Sequence, residues 1–127
     1  MSKLREVLAG QEPVTAVPSD TVREASKKMA EGNVGCVVIV EDGKPTGVFT
    51  ERDLLRRVML ADQRTDEVAV SEVMTSDLIT LNGDDDTRRA QALMRKHHIR
   101  HMPVVDADGL LLGVLSIRDL IREEVQE

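Results

Sequence analysis

The stretch Gly47-Val48-Phe49-Thr50-Glu51-Arg52-Asp53-Leu54 returns further along the chain as Gly113-Val114-Leu115-Ser116-Ile117-Arg118-Asp119-Leu120. Both copies place a glycine, a hydroxyl-bearing residue, an arginine and an aspartate at the same offsets. The duplication extends beyond these octapeptides, since Glu6-Val7-Leu8 is similar to Glu72-Val73-Met74. The chain therefore consists of two tandem units, and its repeated polar residues indicate a duplicated site.

Length and composition limit how this chain can fold. At 127 residues it has the size of one ordinary domain, and a repeat of about 60 residues buries too little surface to be stable alone. We therefore expect the two halves to share one core. Apolar residues make up 41% of the chain, with no Trp or Tyr and a single Phe, Phe49. The interior is thus predicted to be aliphatic.

Charge and hydropathy exclude several classes of partner. The formal net charge of −6 and the pI of about 5.1 argue against nucleic acid, which is bound through clustered Lys and Arg. No apolar run approaches the ~18 residues of a membrane span, and the chain begins without an apolar signal core. We therefore expect a soluble, cytoplasmic protein without a membrane partner. The single cysteine, Cys36, lies in an apolar run and is predicted to be buried in a strand.

Each unit is predicted to fold as β-α-β-β-α. In the first unit, Thr21 and Glu24 have the spacing of a helix-capping box, and Val22, Ala25 and Met29 lie on one face of the helix that follows. The predicted elements of the first unit are a strand at 14–17, a helix from 21 to the stop at 32–33, strands at 36–40 and 46–50 around a turn at 41–44, and a helix through 54–59. Those of the second unit are a strand at 78–81, a helix at 86–96, strands at 99–105 and 110–116 around a turn at 106–109, and a helix at 117–124.

The fold class is therefore α/β, or α+β, with two tandem β-α-β-β-α repeats. The first repeat is assigned to residues 1–62, including an N-terminal helical segment. Residues 63–69 are polar and are assigned as a surface linker, and the second repeat is assigned to residues 70–127.

The repeated Thr/Ser and Asp can serve a ligand or only a helix. A helix N-terminus offers free N–H groups to phosphate, a hydroxyl adds a donor, an arginine adds a cation, and glycine leaves room for close approach. An ionised Asp53 or Asp119 can accept hydrogen bonds from the two vicinal hydroxyls of a ribose. However, Thr50-x-x-Asp53 and Ser116-x-x-Asp119 also fit a capping box that serves only the helix. The residues alone leave both interpretations open.

The whole pattern resembles a tandem pair of cystathionine-β-synthase (CBS) domains, a regulatory module. The resemblance rests on the two repeated octapeptides, on Val73-Met74-Thr75 as an opening segment, and on the stretch Ile99-Arg100-His101-Met102-Pro103-Val104-Val105. It implies that the repeats pack through their sheets with pseudo-twofold symmetry. It also implies two clefts between the repeats for adenosine derivatives, with AMP or ATP favoured and ADP, NAD or S-adenosylmethionine as further candidates. Homodimers are implied as well.

The resemblance assigns residues to these clefts one by one. The ribose and phosphate side of one cleft would be Ser116, Arg118 and Asp119, facing an adenine side made of residues from the other repeat, namely Val14, Val34 and Gly35. The second cleft would combine Thr50, Arg52 and Asp53 with Leu78, Ile99 and Arg100.

The repeats depart from each other in ways that predict unequal clefts. The first lacks the proline found at Met102-Pro103, and Thr87 stands where Val22 suggests an apolar residue. Arg100 brings positive charge to the Asp53 cleft, where the other cleft has Gly35. A polyphosphate is therefore expected at the Asp53 cleft.

Two other polar groups suggest metal sites. His97 and His101 have the i, i+4 spacing of a zinc pair, but the predicted helix ends before His101, so no metal site is assigned. Asp84, Asp85 and Asp86 are interpreted as capping residues at a helix start.

The sequence therefore predicts a regulatory module rather than an enzyme. Neither repeated motif contains a histidine to act as a base, so no catalytic residue is assigned. The predicted function is that of a freestanding CBS-pair module that binds an adenosine ligand as its regulatory ligand, has no catalytic cofactor, and acts on an unidentified effector protein by conformational change. The alternative is a structural dimerisation module that binds no ligand.

Overall fold

The elements of the chain follow the predicted order twice. The computed structural model describes residues 2–126. Its first elements are α1 (Leu4–Val7), β1 (Thr15–Ala16), α2 (Val22–Gly32), β2 (Cys36–Glu41), β3 (Lys44–Thr50) and α3 (Glu51–Asp53), which continues as a π-helix over Leu54–Met59. A 3₁₀ turn (Val70–Glu72) is followed by β4 (Leu81–Asn82), α4 (Thr87–His97), β5 (His101–Val105), β6 (Leu111–Ser116) and α5 (Ile117–Gln126). The mixed α and β fold class is confirmed.

Each half contains one three-stranded sheet with the same topology. The strand orders are β1-β2-β3 and β4-β5-β6, and in both sheets the first pair is parallel and the second antiparallel. Gly47 lies opposite Ile39, and Gly113 lies opposite Val104. The register shifts directly after these positions in both sheets, between Ile39 and Val40 and between Val104 and Val105. The duplication in sequence is therefore a duplication of register.

The two longest helices, α2 and α4, begin and end where the sequence predicts. The Thr21 hydroxyl accepts a hydrogen bond from the Glu24 amide at 3.1 Å, and the Asp86 carboxylate accepts one from the Arg89 amide at 3.0 Å. Both helices end at a left-handed residue, Asn33 (φ 52°) and His98 (φ 55°), a conformation that closes helices. None of the helices in the described part of the chain is long and apolar enough to cross a bilayer.

Two predicted strands of the second repeat began too early. β5 begins at His101 rather than at residue 99, because the Ile99 amide still donates to the Met94 carbonyl at 3.1 Å and so belongs to the end of α4. β4 contains only Leu81 and Asn82, and Leu78 lies outside it. The helix predicted through 54–59 is present, but its second part is π-helical rather than α-helical.

The packing divides the chain into two compact units. One unit comprises Pro13–Leu78, and the other joins the described residues up to Glu12 with those from Ile79 onward. The predicted linker at 63–69 separates the two sequence repeats, whereas these units are defined by packing. The predicted repeat boundaries therefore stay a prediction. The opening segment of each repeat, residues 4–11 in the first and 70–75 in the second, thus packs with the sheet of the other repeat. α1 lies in the unit of β4–β6, and the 3₁₀ turn lies in the unit of β1–β3.

Buried apolar residues form two clusters, one in each unit. The expectation of one core shared by the two halves stays a prediction. The clusters include Phe49 with Val37 and Ile39 in one unit, and Leu115 with Met102 in the other. Each receives buried residues from an opening segment, which enlarges a core that a repeat of this size lacks by itself. These added residues are Val70 and Val73 in the first cluster and Leu4 and Leu8 in the second. The predicted aliphatic interior is confirmed, and Cys36 is buried in β2 as predicted.

Candidate functional site

Thr50 and Asp53 form a reciprocal hydrogen-bonded pair at the start of α3. The Thr50 amide donates to Asp53 Oδ2 at 3.1 Å, and the Thr50 hydroxyl donates to the same oxygen at 3.2 Å. The Asp53 amide in turn donates to the Thr50 hydroxyl at 3.2 Å. The pair is a capping box, so the capping interpretation of the sequence is confirmed at this repeat.

Ser116 and Asp119 repeat this geometry at the start of α5. The Ser116 amide and hydroxyl donate to Asp119 Oδ2 at 2.8 and 3.0 Å, and the Asp119 amide donates to the Ser116 hydroxyl at 3.2 Å. In both repeats the cap uses one carboxylate oxygen, Oδ2. The other oxygen, Oδ1, is held in a fixed orientation but is not needed by the cap, so capping and ligand binding are compatible.

The first turn of each helix has fewer free amides than the sequence suggested. The Glu51 amide donates to the Gly35 carbonyl at 3.1 Å, and the Ile117 amide donates to the Arg100 carbonyl at 2.9 Å. Together with the capped Asp amides, this occupies two of the first three N–H groups in each helix. A phosphate at these positions would therefore depend on the remaining amide and on the exposed side chains of Arg52 and Arg118.

The second carboxylate oxygen has different surroundings in the two repeats. Asp53 Oδ1 accepts a hydrogen bond from the Thr75 hydroxyl at 3.2 Å and lies 3.6 Å from Arg57 Nε. Asp119 Oδ1 accepts one from Arg122 at 2.8 Å. The Asp53 side chain is 8% exposed and that of Asp119 is 16% exposed. The Asp53 carboxylate is thus the more enclosed of the two.

Sequence reasoning missed Arg57 and the role of Thr75. Arg57 also donates to the Met74 carbonyl at 2.9 Å, so it joins Asp53 to the opening segment at residues 70–75. The i, i+4 spacing of Asp53 and Arg57 on a helix was a signal for this ion pair. Thr75 had no such signal, because its contact with Asp53 joins positions 22 residues apart.

The motif glycines are closely packed by side chains of the same unit. A Cβ atom on Gly47 would lie 2.9 Å from Met74 Cε, and one on Gly113 would lie 2.7 Å from Gln11 Oε1. Both distances are shorter than ordinary contacts of a Cβ atom. The side chains of Met74 and Gln11 therefore lie directly over the glycines. The expectation that this space admits a phosphate stays a prediction.

The residues assigned to the adenine side lie in both units, at varied exposure. Val14, Gly35 and Leu78 are half-buried and Val34 is exposed, all within Pro13–Leu78, while Ile99 is half-buried and Arg100 is exposed in the other unit. Gly35 and Arg100 each contact the first helical turn of their own repeat through the carbonyl bonds described above. The pairing of each motif with adenine-side residues of the other repeat stays a prediction.

Cys36 begins β2, and its backbone lies opposite Thr50. Burial, together with the smaller effect of the negative charge of Asp53, raises the pKa of its thiol from the ordinary 9.0 to about 12. The thiol is therefore neutral and unreactive at physiological pH.

No metal centre is formed by the candidate ligands that the structure describes. Residues 2–126 contain no group of three or more His, Cys, Asp or Glu side chains arranged to hold a metal ion. His97 closes α4 and His101 begins β5, so their i, i+4 spacing does not place them on one helix. Asp86 caps α4, Asp85 Oδ2 accepts from the Asn82 amide at 2.9 Å, and Asp84 pairs with Arg5 at 2.7 Å. The predicted capping role of the acidic run is confirmed for Asp86.

Comparison with known proteins identifies the family. The CBS domain family matches this chain twice, at residues 4–60 and 70–125. The chain belongs to the CBS-domain family. An uncharacterized protein of Methanopyrus kandleri is 36% identical over 118 residues, and the CBS domain-containing protein YhcV of Bacillus subtilis is 35% identical over 120 residues. These alignments cover 92% and 94% of this chain. They cover 60% of the M. kandleri protein, less than two thirds of its length, and 84% of YhcV.

Solved CBS-domain structures share the fold over nearly the whole chain. The CBS domain NE2398 has a TM-score of 0.90 at 32% identity and covers 98% of both chains. A CBS domain protein from Pyrobaculum aerophilum, solved in complex with AMP, has a TM-score of 0.87 at 31% identity and covers 99% of this chain and 100% of its own. The CBS domain pair of protein MJ0100, solved with 5′-methylthioadenosine and S-adenosyl-L-methionine, has a TM-score of 0.85 at 27% identity and covers 97% and 99%. The predicted family and its paired repeats are confirmed.

Proposed function

We propose that this CBS-domain pair is a regulatory module that binds adenosine-containing ligands. AMP and ATP are the favoured ligands, and ADP, NAD and S-adenosylmethionine are further candidates. Two similar structures support the ligand class, because one is complexed with AMP and the other with 5′-methylthioadenosine and S-adenosyl-L-methionine. What these ligands share is an adenosine-like nucleoside, so the proposal rests on recognition of adenine and ribose rather than of a particular phosphate chain.

The observation that carries this proposal is the arrangement of the two carboxylates. In each repeat the cap fixes Oδ2 and thereby orients Oδ1 without using it. An ionised carboxylate offers about four acceptor positions, so each Asp keeps acceptor capacity beyond its cap. A pair of vicinal ribose hydroxyls supplies two donors at a matching separation. We propose that Asp53 and Asp119 are these ribose acceptors.

The remaining assigned residues complete the proposed sites. Arg52, Arg118 and Arg100 are exposed and carry positive charge for a phosphate. The apolar Val14, Val34, Leu78 and Ile99, with Gly35, form the proposed adenine contacts. Each site is proposed to draw its adenine contacts from the other repeat, so that a bound ligand stabilises one relative arrangement of the repeats. Such a ligand shifts the population only by its difference in affinity between arrangements.

Isothermal titration calorimetry with AMP, ATP, NAD and S-adenosylmethionine tests the proposal. Replacing both carboxylates, Asp53→Asn with Asp119→Asn, retains an acceptor for each cap but removes the charge, and we expect affinity to fall by about 1.5 to 3 kcal/mol per site. The matched control is Asp86→Ala, which removes a capping carboxylate from α4, a helix without an assigned ligand contact. It should lower thermal stability without changing the heats.

A ligand-side control separates ribose recognition from any effect on folding. With the unmodified protein, 2′-deoxy-AMP should bind about tenfold or more weakly than AMP, because one hydroxyl donor to the carboxylate is lost. Equal heats for AMP in the wild type and in the double variant would overturn the proposed ribose sites. Absence of binding for every adenosine ligand would overturn the proposed function.

A homodimer is supported by exposed apolar residues at matching positions of the helices that end the two repeats. Leu55 and Met59 are 49% and 69% exposed after the first motif, and Ile121 and Val125 are 57% and 81% exposed after the second. The two residues of each pair are four positions apart, so each pair lies on one helical face. We propose that these faces are covered in a homodimer, which is also how the alternative function, structural dimerisation without a ligand, would act.

Analytical ultracentrifugation tests the dimer and separates it from ligand binding. Met59→Glu with Val125→Glu should convert a dimer into a monomer, whereas Lys44→Glu, a charge change in the first hairpin, should leave the dimer intact. A wild type that sediments as a monomer would overturn the dimer. A dimer that binds no adenosine ligand would favour the alternative function. We propose further that the module acts in the cytoplasm on an effector protein and catalyses no reaction itself.

A further inference from the structure

Beyond the capping hydroxyl on Oδ2 that both repeats share, Asp53 has a second internal hydroxyl donor, Thr75, on Oδ1, whereas Asp119 Oδ1 accepts from Arg122. The Thr75 hydroxyl lies 3.2 Å from Asp53 Oδ1 and 3.4 Å from Oδ2. Thr75 is held in place by its backbone, which exchanges two hydrogen bonds with Val48 at 2.9 and 2.8 Å. A hydroxyl donor on a rigid backbone is the same chemical group that a ribose would present to this carboxylate.

In the other unit Gln11 takes the place of Thr75 on the last strand, beside Val114. Its side chain donates from Nε2 to the Val114 carbonyl at 3.1 Å and accepts from the Val114 amide at 2.8 Å. Val114 is the counterpart of Val48, so the carboxamide of Gln11 replaces the backbone of Thr75. Both polar atoms of this carboxamide are engaged with Val114, so Gln11 supplies no hydroxyl comparable to that of Thr75.

The one side chain on Asp119 Oδ1 is held weakly. Arg122 donates to this oxygen at 2.8 Å, but its side chain is 62% exposed and lies three residues away on the same helix. Exposed ion pairs of this kind contribute little free energy, because water and salt screen them. An incoming ribose therefore displaces an exposed arginine at Asp119, but a hydroxyl on an anchored backbone at Asp53.

We propose that Thr75 sets the order in which the two ribose sites fill, by competing with the ligand for Asp53. This inference rests on the proposed function and deepens it: Asp119 is the tighter ribose site, and Asp53 binds ribose only after Thr75 releases it. The order is opposite to the one expected from Arg100, because that expectation counted charge near the phosphate and not competition at the ribose.

Titration of two single-site proteins tests the proposal. Asp119→Asn leaves the Asp53 site, and Asp53→Asn leaves the Asp119 site. In the first protein, adding Thr75→Val should tighten AMP binding about three- to tenfold, the factor that corresponds to one hydrogen bond. Adding Thr75→Ser should restore the parent affinity. In the second protein, Thr75→Val should not change the affinity for AMP.

The unmodified protein provides an independent readout that does not require Thr75 to be replaced. Of two binding events with AMP, the tighter one should be lost in Asp119→Asn and retained in Asp53→Asn. Loss of the tighter event in Asp53→Asn would overturn the proposal, as would an unchanged or weakened affinity in Thr75→Val with Asp119→Asn at unchanged thermal stability. Either result leaves adenosine binding itself intact, whereas absence of all AMP binding would overturn this inference together with the proposed function.

Discussion

The side-chain carboxamide of Gln11 pairs with the backbone of Val114 through two hydrogen bonds, at 3.1 and 2.8 Å. In the other unit the backbone of Thr75 makes the corresponding pair with Val48. The two opening segments therefore reach the same position on the last strand by different chemical means. A carboxamide carries the donor and acceptor of a peptide group, which is why one can replace the other.

Replacement of Gln11 should destabilise the unit that contains β4–β6. Gln11→Ala removes both hydrogen bonds to Val114, and since these bonds are exposed, water replaces part of what is lost. We expect the free energy of unfolding to fall by about 1 kcal/mol. Urea denaturation followed by far-ultraviolet circular dichroism measures this change, which is the suitable method because the chain has no Trp or Tyr.

Gln91→Ala is the matched control for this prediction. The Gln91 side chain donates to Glu124 at 2.9 Å, but between two side chains rather than to a backbone edge. Its removal should change the free energy of unfolding by less than about 0.5 kcal/mol. Equal losses for the two glutamine variants would show that Gln11 has no special role at Val114.

A second prediction concerns the packing of Met74 over Gly47. A Cβ atom at position 47 would overlap the Met74 side chain, with Cε and Cγ both at 2.9 Å. Gly47→Ala should therefore lower the free energy of unfolding by about 1 to 3 kcal/mol through overpacking. In a Met74→Ala background the same substitution should cost much less, since the space is then open.

A double-mutant cycle measures this coupling directly. The coupling energy between positions 47 and 74 should exceed about 0.5 kcal/mol, the value above which contacting residues depart from additivity. Additive effects would mean that the glycine is required for another reason, such as the approach of a ligand.

A third prediction uses the equivalent positions of Val22 and Thr87. Each is the first residue of an 11-residue helix, and each is buried, at 0% and 6% exposure. Valine and threonine have the same shape, so exchanging them changes only the hydroxyl. Thr87→Val should raise the free energy of unfolding by about 1 kcal/mol, and Val22→Thr should lower it by about 1 to 3 kcal/mol. Circular dichroism during urea or thermal unfolding checks both signs, and a loss of stability in Thr87→Val would contradict the account.

Much of the fold is predictable from sequence because local chemistry determines it. The capping residues Thr21 and Asp86, the apolar face of α2, and the turn between β2 and β3 each act within a few residues, so pattern and structure agree. The π-helix at Leu54–Met59 had no such signal, because the second repeat has the same spacing of residues but forms an ordinary α-helix.

Long-range packing is where sequence reasoning failed. The similarity of Glu6-Val7-Leu8 to Glu72-Val73-Met74 indicated a shared role for the two opening segments. It did not indicate the core in which each segment packs. That choice depends on the path of the chain between the segments and the sheets, which no local pattern records. The same holds for the site: Asp53 and Asp119 were found because they repeat, whereas Thr75 and Gln11 contact the motifs from more than 20 residues away and differ in residue type.

A last prediction concerns the pH dependence of stability through Cys36. Burial and the charge of Asp53 raise the pKa of the thiol from 9.0 in the unfolded chain to about 12 in the folded protein. Because the folded state keeps its proton where the unfolded state loses it, the thiol contributes full stability below pH 9.0 and loses that contribution as the pH rises toward 12. The slope between these values should approach −1.4 kcal/mol per pH unit, about the free energy of one pKa unit.

Cys36→Ala removes the titrating group, so comparison of slopes isolates its contribution. The variant should be less stable than the wild type at neutral pH, because it leaves a small cavity where the thiol is buried in β2. Above pH 9 the two curves should converge, since only the wild type loses stability through the thiol. Urea denaturation at a series of pH values from neutral to mildly alkaline measures both slopes. Parallel curves would show that the thiol ionises as readily in the folded protein as in the unfolded chain, and labelling with iodoacetamide in the native state would then proceed at the rate of a free thiol.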